Sequence, residues 1–283
     1  MGDVEEAPED GERGGSHEDS PGKHEAFVTM VTSDDFVIGA ETLLHSLHEH
    51  CNKTRLRASV VMVTSGVSEM KRKALKAAAD KVIEVEPIAM PAKEAAGHDG
   101  VPTWAQVGYT KLRLWGLTQY KRVVYIDADA LVMEDIDELF HRCDEVDFAA
   151  APDVFPPDKF NAGVMVVVPS LRVLEDMLSK VEGLPSYDGG DTGFLNAYFS
   201  DWFSRPAAAR LPFKYNALRT VYWTTHDKNP GYWEAIGPVK IIHFCSSPKP
   251  WEEANRKGDL EMIWWQRYVQ MKMSSVVPGM GGF

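Results

Sequence analysis

The chain has 283 residues, 44% hydrophobic and 25% charged, which suits one large α/β domain or two small ones with a sizeable core. Its formal net charge is -12, but residues 1–25 carry nine acids against Arg13 and Lys23, so -7 belongs to that segment and an ordinary -5 to the rest. This balance excludes a nucleic-acid footprint, and without an apolar run of about 18 residues or a signal-peptide core no membrane partner is expected. Three cysteines (Cys51, Cys143, Cys245) lack CxxC spacing and an even-numbered framework, which favours a reducing, cytoplasmic setting.

Residues 1–25 are rich in Gly, Glu, Asp, Ser and Pro and hold almost no apolar side chains. They cannot offset the entropy of ordering, so a disordered acidic tail is expected, with a single domain over 26–283. Ala26 to Thr32 is a short β-branched run, and Val37 to His50 has apolar residues at helical spacing (Ile38, Leu43, Leu44, Leu47). Asn52-Lys53-Thr54 matches a glycosylation acceptor but reads as a helix-to-strand loop. Ser59 to Thr64 is a second strand. Ser68 stands at the N-cap of a helix over Glu69–Ala79, and Lys81–Val85 is a third strand. Tyr109 to Leu117 reads as a helix and Arg122–Ile126 as a fourth strand running into Asp127. This alternation predicts an α/β fold with a mostly parallel sheet covered on both faces, and ligands in such sheets bind beyond the carboxyl ends of the strands.

Beyond residue 150 the pattern loosens. Strands are expected over Phe148–Ala151, Gly163–Val168 and Val239–His243, and helices over Leu171–Val181, Asp191–Trp202 and Leu260–Met271. The Pro- and aromatic-rich stretch 203–238 reads as a binding surface or lid.

Asp127-Ala128-Asp129 places two carboxylates just past a buried strand. Hard divalent cations take oxygen ligands, and two anions at one strand end repel unless a cation lies between them. The same pattern also fits two acids capping a strand-to-helix turn. In Asp188-Gly189-Gly190-Asp191 the glycines permit a tight turn and Asp191 opens a helix; the carboxylates either serve a sugar or simply cap. His243 follows an apolar strand and could ligate a metal, while Lys249, six residues on, could neutralise a diphosphate; a lone strand-end His and a solvated Lys are the ordinary alternatives. Lys111, in the helix before the metal strand, could bind sugar or phosphate oxygens, and Asn161 before Gly163 could reach sugar hydroxyls, or each could be a surface or turn residue.

These residues, in order, resemble glycosyltransferase family 8, in its glycogenin-like branch. The likeness runs from Ala26 to about Met273 and includes Phe27-Val-Thr, Thr110-Lys-Leu with Trp115, Thr118-Gln-Tyr120, Asp127-Ala-Asp129 and Ile136-Asp-Glu-Leu-Phe140. It continues through Ala151-Pro-Asp153, Phe160-Asn-Ala-Gly-Val164, Asp188-Gly-Gly-Asp191, Leu211-Pro-Phe-Lys-Tyr-Asn216, His243-Phe244 and Lys249-Pro-Trp251. The resemblance implies a GT-A fold, a UDP-sugar donor, Mn2+, retention of anomeric configuration and a homodimer. It places the metal on Asp127, Asp129 and His243 and uridine against Met30, Thr32, Ser33 and Phe36. Lys111, Asn161, Asp188 and Asp191 then contact the donor sugar, Ser246 and Lys249 lie along the diphosphate, and Ala128 is a further donor-binding position. Asp191, with Asp188 and Lys111, is the implied catalytic group, as a transient nucleophile or ion-pair stabiliser.

Four departures narrow the expectation. Thr192 stands where the family commonly has Gln, and Ser246 where it has Gly in the diphosphate loop. Counting on from Asn216, Trp223 falls where glycogenin carries its self-glucosylated tyrosine, with Tyr222 beside it, and the chain lacks glycogenin's long tail. The expected activity is therefore transfer of galactose, or else glucose, to a sugar hydroxyl, as in a related protist branch that extends a glycan on a cytoplasmic ubiquitin-ligase adaptor. A self-glucosylating primer, a haloacid-dehalogenase-type phosphatase (which also opens strand-Asp-x-Asp) and a non-catalytic nucleotide binder are the alternatives.

Overall fold

A computed structural model of the chain describes residues 25–51, 57–91, 107–142, 144–154, 156, 158–253 and 258–276. The acidic segment, apart from Glu25, and Asn52-Lys53-Thr54 lie outside the described residues. Six strands form the main sheet: β1 (Glu25–Val31), β2 (Arg57–Val63), β3 (Lys81–Glu84), β4 (Arg122–Ile126), β6 (Phe148–Pro152) and β7 (Phe160–Val167), in the order β3-β2-β1-β4-β7-β6. The pairs β1–β2, β2–β3 and β1–β4 are parallel, whereas β7 runs antiparallel to both β4 and β6, so the sheet is mixed.

The central strands are buried on both faces, which is why Ala26–Val31 and Arg122–Ile126 read as near-continuous apolar runs rather than alternating ones. From β1 the sheet grows outward through β2 and β3, and the chain then returns to place β4 on the other side of β1. This reversal makes the β1–β4 boundary a switch point, and the carboxyl ends of both strands open there.

One face of the sheet is covered by α1 (Val37–His50), whose Leu43 and Leu47 join Phe27, Val124 and Phe140 in a buried cluster. On the other, Trp115, Phe148, Phe160, Phe199 and Trp202 form an aromatic core, with Phe148 and Phe199 stacked at 4.2 Å between ring centroids. Such offset pairs add about 0.5–1.5 kcal/mol each beyond area burial. Among the described residues the remaining α-helices are α2 (Glu69–Ala78), α3 (Leu139–Arg142), α4 (Leu171–Lys180), α5 (Asp191–Tyr198), α6 (Arg219–Thr225), α7 (Gly231–Glu234) and α8 (Asp259–Val276). Among the described residues, no helix is long and apolar enough to cross a membrane.

A second, three-stranded sheet joins β5 (Ala130–Val132), β9 (Ile241–His243) and β8 (Ala217–Leu218). Only Asp127, Ala128 and Asp129 separate β4 from β5, so these three residues are the joint between the two sheets.

Several sequence expectations are corrected. Tyr109–Gly116 is a 3-10 helix, α5 stops at Tyr198 before a separate turn at Trp202–Ser204, and the last helix extends to Val276. Ser68 has the extended backbone of an N-cap, yet its side chain makes no capping bond; instead its N–H donates to Asp34 Oδ1 at 2.8 Å. Residues 203–238 are built of short turns and helices together with β8, rather than one open loop.

Candidate active site

The Asp127–Asp129 joint is held by backbone bonds on every side. Asp127 N donates to Gly163 O on β7 (2.8 Å), Ala130 N donates to Asp127 O (3.0 Å), and Phe244 N donates to Asp129 O (2.9 Å). In the second sheet Ala130 faces His243, which brings the His243 ring to the two acids. Glycine is required at two neighbouring positions. A Cβ on Gly39 would lie 2.6 Å from Ala128 O, and one on Gly163 would lie 2.3 Å from His243 Cε1. Helix α1 and strand β7 therefore approach the joint as closely as a bare backbone allows.

Ligand atoms of Asp127, Asp129 and His243 all lie within 4.8 Å of one another. His243 Nε2 is 3.3 Å from Asp129 Oδ1 and 3.8 Å from Asp127 Oδ2. Its Nδ1 meets Asn216 Oδ1 at 2.9 Å, and Asn216 Nδ2 in turn donates to Asn161 Oδ1 at 2.9 Å. Because the Asn216 amide spends its nitrogen on Asn161, its oxygen accepts, so Nδ1 carries a ring proton and Nε2 is the nitrogen turned toward the carboxylates. Two carboxylates and an imidazole, 3.3 and 3.8 Å from one another as adjacent ligands on one ion are when each metal–ligand distance is about 2.0–2.6 Å, fit a divalent cation. A second trio, Cys51, Asp135 and Asp137, is a poorer candidate: burial pushes the Cys51 thiol up to about 12, and Asp137 is paired with Arg57 at 3.0 Å.

Two lysines complete the charge pattern. Lys111 Nζ, nearly enclosed, lies 2.6 Å from Asp191 Oδ2 and 3.1 Å from Asp127 Oδ1, and donates to Ala162 O at 3.2 Å. Lys249 Nζ lies 2.5 Å from Asp129 Oδ2 and donates to Phe244 O at 3.2 Å. Burial works against the ammonium of Lys111, but Asp127 and Asp191 raise its pKa above the ordinary value. Burial also opposes ionisation of Asp129, yet Lys249 and His243 hold that carboxyl well below the usual range. Asp127 moves the other way: burial, helped by Asp129, raises it against the pull of Lys111. Tyr125, whose hydroxyl donates to Asp127 Oδ1 at 2.5 Å, is raised well above its ordinary value by burial and by that same carboxylate.

Asp127, Asp129, His243, Lys111, Asp191 and Asp188 all line one cavity of about 440 Å³. So do Met30, Thr32, Phe36, Ala128, Asn161, Ser246 and Lys249, whereas Ser33 is not among the described residues that line it. Asp188 also has structural work: its Oδ1 accepts from Ser186 Oγ (2.8 Å), Gly190 N (2.9 Å) and Gly193 N (2.9 Å), fixing the turn from which Asp191 enters α5. Thr192, Tyr125, Gly108, Cys245 and Ser247 belong to the lining too, and no chemistry was expected of them from the sequence. Tyr125 could have been found, because it stands two residues before Asp127 on a strand and so faces the same way. Asn216 sits in one of the family-like motifs, but nothing local ties it to His243, 27 residues on.

The fold and the sequence both have relatives. Glycogenin-1 of Oryctolagus cuniculus is 37% identical over 229 residues, covering 80% of this chain and 65% of that protein. Inositol phosphorylceramide glucuronosyltransferase 1 of Arabidopsis thaliana is 31% identical, over 91% of this chain and 48% of its own length. The chain thus spans less than two thirds of these curated relatives. Among solved structures, the galactosyltransferase LgtC in complex with donor and acceptor sugar analogs superposes with a TM-score of 0.62 at 20% identity, covering 90% of this chain and 98% of the other. The mixed sheet is therefore the GT-A fold in a single domain. A model of the family described as "Glycosyl transferase family 8" matches residues 27–255, a span that holds every strand from β2 to β9 and all the metal, lysine and catalytic candidates, and it displaces the phosphatase reading of strand-Asp-x-Asp. The chain belongs to glycosyl transferase family 8.

Proposed function

We propose that the protein is a retaining, Mn2+-dependent hexosyltransferase that moves a hexose, galactose before glucose, from a UDP-sugar to a sugar hydroxyl of a glycoside or a protein-linked glycan. The observation that carries this reading is the convergence of Asp127, Asp129 and His243 with Lys249, Lys111 and Asp191 on one cavity at a strand switch point. Asp127, Asp129 and His243 would hold the cation, which supplies charge neutralisation to the diphosphate when bound.

The rest is the work of the chain itself. Met30, Thr32 and Phe36, on and just beyond β1, form the uridine side, with Ser33 beside them in sequence. Lys249 and Ser246 meet the diphosphate, and the Lys249 ammonium offsets the charge that collects on the leaving phosphate. Asn161 Oδ1 is occupied by the N–H of Gly163 and by Asn216 and its amide nitrogen also bonds Asp153, so the second hydrogen of that nitrogen is what it offers a sugar hydroxyl. Asp191 stabilises the oxocarbenium-like centre as the glycosidic bond lengthens, and Lys111 fixes that carboxylate in place.

Self-glucosylation has less support: the Tyr222 hydroxyl donates to Asp259 Oδ2 at 2.9 Å and its ring stacks on His226 at 4.1 Å. Transfer to an acceptor in the cytoplasm by a homodimer is part of the same proposal, and size-exclusion chromatography with light scattering reads the oligomeric state. A panel of nucleotide sugars, with Mn2+ and with chelator, tests the central reading. Mn2+-dependent release of hexose from a UDP-sugar is expected, and an acceptor screen with simple glycosides comes next. Tight UDP binding without cleavage of any donor would leave a nucleotide-binding protein rather than a transferase.

A further inference from the structure

Arg219, the first residue of α6, is completely buried, yet it does not line the cavity. Its guanidinium points at the loop that does. Nη2 lies 3.0 Å from Cys245 O, 3.2 Å from Ser246 O, 3.3 Å from Ser246 Oγ and 3.0 Å from Pro248 O, four acceptors sharing two hydrogens. Nη1 donates to Glu261 Oε1 of α8 at 3.0 Å, a carboxylate that is itself 1% exposed. The Trp223 ring covers the guanidinium at 4.0 Å from its centroid. One side chain therefore ties α6, α8 and the 245–248 segment together.

The need for such a tie is written in the loop. Ser246 has φ 68, a left-handed conformation that a side chain disfavours, at a position where glycine would cost nothing. Three carbonyls of one short segment also turn inward, toward a protein interior that must satisfy them. A planar guanidinium held by Glu261 answers both requirements. Ser246 Oγ accepts from Arg219, so its own proton is left to donate into the cavity.

We infer that Arg219 is a positioning residue for diphosphate recognition: paired with Glu261, it holds the 245–248 backbone and the Ser246 hydroxyl in the arrangement that, with Lys249, receives the phosphates of a nucleoside diphosphate. The inference rests on the reading of this loop as the diphosphate cradle.

The test compares UDP and uridine binding to the full chain with Mn2+ present, by calorimetry and by ligand-observed NMR, in wild type, Arg219→Lys and the paired variant Arg219→Gln with Glu261→Gln. The paired variant keeps the buried site neutral and so protects folding, which the melting transition checks. UDP affinity is expected to fall about tenfold or more in both variants, the loss of charge-assisted bonds to the loop, while uridine affinity stays within about twofold. Unchanged UDP affinity in a folded paired variant overturns the inference and leaves Arg219 a structural ion pair. An equal loss for UDP and uridine overturns it as well, since the damage is then general. If wild type binds UDP no better than uridine, the diphosphate reading of the loop itself falls, a result distinct from the other two.

Discussion

Gly163→Ala tests the construction of the site with a single methyl group. The added Cβ would lie 2.3 Å from His243 Cε1, 2.5 Å from Nδ1 and 2.9 Å from Asn161 Oδ1, where ordinary contact begins near 3.4 Å. The imidazole would have to retreat by roughly 1 Å, and β7 cannot yield in its place because Asp127 N bonds to Gly163 O and Ile126 pairs with Val164. Retreat stretches the 2.9 Å bond from Nδ1 to Asn216 and carries Nε2 away from its 3.3 Å approach to Asp129. Overpacking costs about 1–3 kcal/mol and the lost buried bond about 1 kcal/mol more, so a destabilisation of about 2–4 kcal/mol is expected. In a chain of this size that lowers the melting temperature by roughly 3–8 °C. Displacing the imidazole should also weaken Mn2+ binding by about 10–100-fold, the range found when a ligand's supporting partner is lost. Differential scanning calorimetry reads the first effect and electron paramagnetic resonance titration of free Mn2+ the second, neither requiring an acceptor. A variant that melts within about 1 °C of wild type and keeps its Mn2+ affinity would refute the claim that this glycine exists to admit the His243 ring.

Three other outcomes rest on the same geometry. Asp129→Asn should lose about 3 kcal/mol at neutral pH, because Lys249 is left buried without its partner. The folded pKa of Asp129 lies below the unfolded value, so its contribution is complete above the ordinary carboxylate value of 3.8 and is lost only as pH falls through the depressed one; melting curves from pH 7 to 3 should keep the gap open throughout. Asp127→Asn should cost no stability at pH 7, since burial and Asp129 raise that carboxyl and its charge opposes folding above the raised value; a melting temperature below that of Asp129→Asn would contradict this. Asp191→Asn should reduce donor cleavage by at least about 100-fold, with UDP affinity held within about threefold, as steady-state rates and calorimetry would show.

The β4 strand and its two acids were legible in the sequence because a buried central strand is a continuous apolar run and the acids stand directly at its end. Val37–His50 was legible to the residue because its apolar positions repeat at helical spacing. The second sheet was not. Its strands β5 and β8 are three and two residues long, too short for any period to register, and they exist only because the chain returns to pair with β9. The 3-10 character of Tyr109–Gly116 was hidden as well, since an apolar pattern at helical spacing does not tell a 3-10 helix from an α-helix over so short a span. The site divided in the same way. Residues with their own chemical voice, Asp127, His243 and Lys249, were found one by one. Asn216 and Arg219 were not, because each acts on a partner more than 25 residues away and neither touches the cavity.

The charges of the site suggest why those groups are combined as they are. Asp127, Asp129 and Asp191 face Lys111 and Lys249, so three carboxylates meet two ammonium groups, and these five groups have a formal sum of -1. A divalent cation would turn that sum to +1, and a nucleoside diphosphate in ester linkage, carrying about two negative charges, would return it to -1. Each component thus makes the cavity more receptive to the other, in a region where low dielectric magnifies the difference. Binding of Mn2+ and UDP should therefore be mutually reinforcing, and linkage requires the same factor in both directions. The two lysines set how large that factor is. Lys249 pairs with a metal ligand, so the cation and the lysine draw on the same carboxylate, and only a diphosphate gives the displaced ammonium a new anion. Replacing Lys249 by Met should consequently strengthen Mn2+ binding on its own while weakening UDP binding in its presence, opposite shifts that a merely structural lysine would not produce.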